Sequence, residues 1–190
     1  GVVSSGDIKV NDVSIGKGTN SVAGNTVLGE TALDAAVTGA NNTAIGKFAL
    51  TANTSGFSNT AVGESALADN TTGTLNTGIG RDALNFNTSG DKNTAVGERS
   101  LQKNTTADNN VAVGFAALSE NTTGIRNTAV GTSALQTITT ANDSTAVGFE
   151  ALKLATGTGN TAVGRDSGKS ITSGSQNTVI GTAALDALST

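Results

Sequence analysis

The chain has 190 residues, with 11 basic and 15 acidic side chains and a net charge of −4. It contains no Cys, His, Met, Pro, Trp or Tyr, and five Phe are its only aromatics. This composition excludes a disulfide framework, a thiolate zinc site and histidine chemistry; it offers no basic stripe for nucleic acid, and no apolar run approaches the ~20 residues of a membrane-spanning helix.

Residues 1–20 lack the periodic pattern of the rest of the chain and are predicted to form a lead-in strand or cap. The chain opens at Gly1 without Met, which reads as an internal or processed fragment. Residues 21–190 read as a single solenoid of ten repeats, truncated at the C-terminus. A pentapeptide close to Asn-Thr-Ala-Val-Gly ends at Gly29, Gly46, Gly63, Gly80, Gly97, Gly114, Gly131, Gly148, Gly164 and Gly181. The spacing is 17 residues, except for 16 between Gly148 and Gly164. Such a short strict period predicts one coil per repeat, each residue stacked on its counterpart in the next coil.

Within a coil, Asn59-Thr60-Ala61-Val62-Gly63 reads as a short strand. Thr60 and Val62 share one face and Ala61 takes the other. Val111 replaces Thr in its column, so the Thr face is expected to be sheltered. The Ala column (Ala44, Ala61, Gly78, Ala95, Ala112) stays tiny, which predicts close approach on that face as well. Gly after the strand suits a corner with positive φ. Two Asn columns suit stacked turns, where Asn tolerates the left-handed region and its amides can pair along the stack.

The segment after Gly, such as Glu64-Ser65-Ala66-Leu67-Ala68-Asp69, has helical propensity. Coils at ~4.8 Å leave no room for stacked helices ~10 Å wide. An extended or turn conformation is expected, with a short helical turn as the alternative. The residue after Gly runs Glu30, Lys47, Glu64, Arg81, Glu98, and stacking would set opposite charges side by side. At the C-terminal end, Leu185 and Leu188 are expected to need cover from neighbours.

Each coil carries one Val or Ile and one Leu as large apolar groups. Burying both contributes ~3–6 kcal/mol, against a backbone ordering cost of ~17–34 kcal/mol per coil. This imbalance predicts association, with the core completed between chains.

The rungs Asn42-Thr43-Ala44-Ile45-Gly46 and Asn127-Thr128-Ala129-Val130-Gly131 resemble the head repeats of YadA-like trimeric autotransporter adhesins. The whole rung, with the lead-in around Gly6-Asp7-Ile8-Lys9-Val10-Asn11, is even more similar to repeats of bacteriophage tail-fibre and appendage proteins. The resemblance covers nearly all of the chain. It implies an all-β repeat solenoid, a left-handed parallel β-roll assembled as a parallel homotrimer, in an elongated stalk or head that attaches to surfaces. The 17-residue coil is longer than the usual adhesin-head coil.

The expected function is therefore a structural fibre segment of a phage tail or related appendage, presenting a receptor-binding surface to host cells. Its location would be the virion or the extracellular surface, and its receptor a cell-surface glycan or protein. A bacterial adhesin head is the alternative, and an ice-binding solenoid using the Thr column a remote one. No enzyme, cofactor or metal is expected. No carboxylate recurs beside a Ser, Lys or second acid as a triad or dyad would need. Asp34, Asp69 and Asp186 read as turn residues. So do Asp108-Asn109-Asn110 and Asn142-Asp143-Ser144, the nearest approach to a calcium loop. Phe115 and Phe149 hold equivalent positions two rungs apart and are the candidate contacts, with a protomer or with a receptor sugar. The sequons at Asn53, Asn70, Asn87, Asn104 and Asn121 follow from the repeat.

Overall fold

The computed structural model describes residues 7–185. The expectations for Asp186 and Leu188 lie outside the described residues. One sheet of twelve strands runs in sequence order from β1 to β12. The first two, β1 (Ile8–Val10) and β2 (Val13–Gly16), form an antiparallel hairpin. Asn11 and Asp12 join them at φ 48° and 64°, the paired positive angles of a tight two-residue turn. β2 pairs antiparallel with β3 (Thr26–Glu30). A single 3-10 turn, Thr19–Ser21, lies between them. The Asp7 carboxylate fastens this end, accepting from the Lys17 N–H at 2.6 Å and the Gly18 N–H at 2.8 Å.

From β3 onward the pairing is parallel and in register. The strands are β4 (Thr43–Ile45), β5 (Thr60–Val62), β6 (Thr77–Ile79), β7 (Thr94–Val96) and β8 (Val111–Val113). They continue as β9 (Thr128–Val130), β10 (Thr145–Val147), β11 (Thr161–Val163) and β12 (Thr178–Ile180). The predicted solenoid of 17-residue coils is thus the observed fold. The 16-residue coil keeps its place, with Thr145 opposite Thr161 and Val147 opposite Val163. The missing residue falls at the corner, where Ala155-Thr156-Gly157 stands for Asn70-Thr71-Thr72-Gly73.

Strands are short because glycine ends them. Gly63 lies at φ 134°, and a Cβ there would sit 2.6 Å from the Gly80 carbonyl oxygen of the next coil. The chain then turns without becoming a helix. Ser65 and Leu67 both take positive φ, at 56° and 52°. This alternation aims every second N–H group at a neighbouring coil. The Ser65 N–H donates back to Lys47 at 2.9 Å, and the Leu67 N–H forward to Ala83 at 2.9 Å. Asp69 and Thr71 donate forward to Asn85 and Thr88, each at 2.9 Å. The helical-turn alternative fails because these amides are already committed to neighbouring coils.

The Leu column carries the strain of this arrangement. Leu33, Leu50, Leu67, Leu84, Leu101, Leu118, Leu135 and Leu152 all sit at φ between 48° and 53°. A left-handed non-glycine residue costs about 1–2 kcal/mol. Each of these leucines is fully buried, and burial contributes about 1.5–3 kcal/mol in return. Gly168 replaces Leu at φ 60° without strain, and Ile171 fills the space beside it.

The core is closed within one chain, which corrects the expectation that copies complete it. Ala44, Ala61, Ala95, Ala112 and Ala129 are fully buried in one cluster with the Leu column of the same chain. A Cβ on Gly78 would already touch Leu67 at 3.4 Å. The tiny column reflects that internal contact.

Both Asn columns are buried ladders, and they sit outside the left-handed region where the sequence placed them. In the first, the Asn59 Oδ1 accepts from the Asn76 N–H at 2.9 Å, and its Nδ2 donates to the Gly73 carbonyl at 2.8 Å. In the second, the Asn70 Nδ2 donates to Asn53 Oδ1 at 2.8 Å and to the same Gly73 carbonyl at 3.1 Å. One carbonyl per coil ties the two ladders together. The second ladder stops at Asn121, because the next coil has Ile138 in that place. Asn121 Oδ1 is therefore a buried acceptor without a partner.

Breaking a ladder in the middle leaves a second orphan, whereas trimming its end only moves the existing one. Asn87→Ala is expected to cost about 1–3 kcal/mol more than Asn121→Ala, as read from denaturant melts of the two variants. Equal losses would contradict the ladder.

Candidate interaction face

Alternation along each strand turns Ala inward and sends Thr and Val or Ile outward. In-register pairing then gathers these outward residues into two continuous files. Thr43, Thr60, Thr77, Thr94, Thr128, Thr145 and Thr161 make one, half-buried, with Val111 continuing it. Ile45, Val62, Ile79, Val96, Val113, Val130, Val147 and Val163 make the other. Exposure in that file reaches 39% at Ile79 and 40% at Val163. The sequence predicts a sheltered face here. In the single chain it is the open one.

One corner of the face is set by the residue after each glycine. Its N-terminal half is charged and pairs along the stack. Lys47 Nζ lies 3.1 Å from Glu30, and Arg81 bonds to Glu98. The sign alternation predicted from the sequence thus yields two ion pairs, and Glu64 between them has no ion pair among the described residues. Lys47 also covers the Phe48 ring at 4.9 Å. In the C-terminal half the same column holds Phe115, Thr132 and Phe149. Both Phe rings are 47% exposed, so the structure sets the two candidate contact residues at equivalent points of the same corner.

Other ion pairs escaped the sequence reading. Lys103 reaches Glu120, and Arg126 reaches Asp143, each at 2.6 Å. Both pairs are 17 residues apart, so a search for opposite charges at the repeat spacing would have found them. Around Glu150 the charges cluster. Its carboxylate accepts from Lys153 and Lys169, both at 2.6 Å.

Three of the turn side chains singled out in the sequence, Asp108, Asn142 and Asp143, are occupied by the stack. Asp108 Oδ1 accepts from the Asp91 N–H at 2.7 Å, and Asn142 Oδ1 from the Ile125 N–H at 2.8 Å. Asp143 is engaged by Arg126, which holds its carboxyl below the usual 3.8. Asp69 is exposed. Asp34 lines a shallow cavity of about 280 Å³ with Asp7, Lys9, Ser14 and Asn20 beside the hairpin. Among the described residues, no three acids gather as a metal would need, and no helix is long and apolar enough to cross a membrane. The sequon asparagines are fully buried in the second ladder.

Comparison with known protein families, with curated proteins and with solved structures returns no match. The face and its corner are therefore read from their own chemistry.

Glu150 is expected to make the fold sensitive to acid. Hydrogen bonds from Lys153, then Lys169, hold its carboxyl below the ordinary 4.5. A depressed carboxylate stabilises the fold above its unfolded pKa, and that contribution disappears as pH falls through the folded value. Melting temperatures taken from neutral pH down to about 3 should fall less steeply for Glu150→Gln than for the parent chain. Parallel profiles would remove Glu150 as the cause of that sensitivity.

Proposed function

We propose that the chain is a rigid segment of a fibre, of the kind found in bacteriophage tails and related appendages, and that it presents a receptor-binding surface to a host cell. The observation that carries this reading is the single parallel ladder from β3 to β12. Ten strands at ~4.8 Å span roughly 45 Å. Parallel strand pairing repeated at every step resists bending and sets length by coil number. A bacterial adhesin head is the same architecture serving another cell. Either role belongs on a virion or outside a cell.

The chain works as a parallel homotrimer joined through the Thr and Val/Ile face. A continuous half-exposed apolar file supports this, because such a stripe on a lone chain marks a contact site. In a parallel arrangement every coil meets its own equivalent at the same height, so the stripe is buried along its full length.

Light scattering tests the assembly and negative-stain imaging tests the shape. The parent chain should give the mass of three copies and a rod. Val130→Asp with Val147→Asp should give single chains that keep the β-type circular dichroism, since both side chains lie outside the core. A stable monomer of the parent chain, or a compact globule, contradicts the proposal.

A further inference from the structure

We propose that the corner column Glu98, Phe115, Thr132, Phe149 and Arg165 binds an extended β-1,4-linked polysaccharide lying along the rod; this deepens the receptor-presenting reading above and rests on it. The five residues hold the same place in successive coils, each directly after a strand-ending glycine. Further toward the N-terminus the column closes on itself through Glu30–Lys47 and Arg81–Glu98. From Phe115 the self-pairing ends. Among the described residues neither Phe115 nor Phe149 has a cation over its ring, unlike Phe48 under Lys47. Thr132 places a half-buried residue with a hydroxyl between them. Arg165, with its side chain 71% exposed and its Nε 3.0 Å from Asp166 Oδ2, stands at the far end with its remaining donors open to solvent.

Spacing selects the ligand. Two coils at ~4.8 Å set the rings roughly 9.6 Å apart. In a fully extended β-1,4-linked chain each sugar is flipped relative to the last. The same sugar face therefore recurs at every second residue, at a repeat close to the ring spacing. Pyranoses with equatorial substituents present flat C–H faces, which pack against aromatic rings. Their hydroxyls ring the edge, where Thr132 and Arg165 can donate and Glu98, held by Arg81 through Oε1, can accept through Oε2. A protein partner packed on the rings would have to desolvate Glu98 and Arg165 at the two ends. A glycan keeps them hydrated or hydrogen-bonded.

The test is retention on insoluble cellulose and chitin, with calorimetric titration of cellotetraose and chitotetraose. The parent chain should bind at least one of the two polysaccharides. Phe115→Ala and Phe149→Ala should each weaken binding by about tenfold or more. Exchanging the positions, Thr132→Phe with Phe149→Thr, keeps two rings but halves their separation, and should weaken binding as much as losing one. Failure of the parent chain to bind either polysaccharide overturns the proposal, as does undiminished binding by the exchanged variant. Light scattering of each variant should give the parent mass. A fall in mass on removing the rings assigns them to a contact between chains and also overturns it. The mass of the parent chain tests the fibre assembly separately.

Discussion

Hydrogen bonding between successive coils is the constraint on which the rest of this molecule depends. Stacking at ~4.8 Å is set by the backbone, and it is satisfied far beyond the three-residue strands. The Thr60 N–H donates to Asn76 at 2.8 Å, the Gly63 N–H to Ile45 at 2.8 Å, and the Leu75 N–H to Phe57 at 3.1 Å. Strand, turn and corner are all parts of one ladder. The glycine corners, the leucines at positive φ and the buried asparagines are what a sequence needs in order to keep that ladder continuous. Pro is absent from the whole chain, as fits a fold that uses backbone donors throughout the coil.

The ladder also decides what can be core and what can be surface. A coil this thin holds one Leu layer and one Ala layer, and both are closed by the chain itself. The large strand residues that remain, Val and Ile, have nowhere to go but outward. Their file is therefore a by-product of stacking as well as a surface for contact. The same logic gives the corner column its linear form. Whatever residue type is placed after the glycine is repeated along the rod, so charge makes a zipper and Phe makes a row.

Much of the fold was legible because the repeat is strict. Period, strand position and the glycine corners followed from spacing alone. The face assignment did not. The tiny Ala column suggests a contact with something outside, whereas Leu67 and its equivalents supply that contact from within. The left-handed leucines were also missed, although a signal was present. That column takes Leu or Gly and never Val or Ile, while the strand column takes Val and Ile freely. A β-branched residue is a poor occupant of positive φ, so the exclusion marked the backbone conformation. The Asn columns were correctly read as ladders but wrongly given the left-handed positions, which belong to Leu67, Ser65 and the residue before Asn76. The exposed corner was legible as a pair of equivalent Phe, and the charge pairs away from it only by testing the repeat spacing.

Amide hydrogen exchange resolved by residue tests the continuous ladder most directly. If bonds between coils run through the turns, Ser65, Leu67, Asp69 and Thr71 exchange as slowly as the strand amide of Thr60, and protection repeats with the coil period. Slow exchange confined to the Thr-Ala-Val strands, with fast exchange in the turns, would contradict the account.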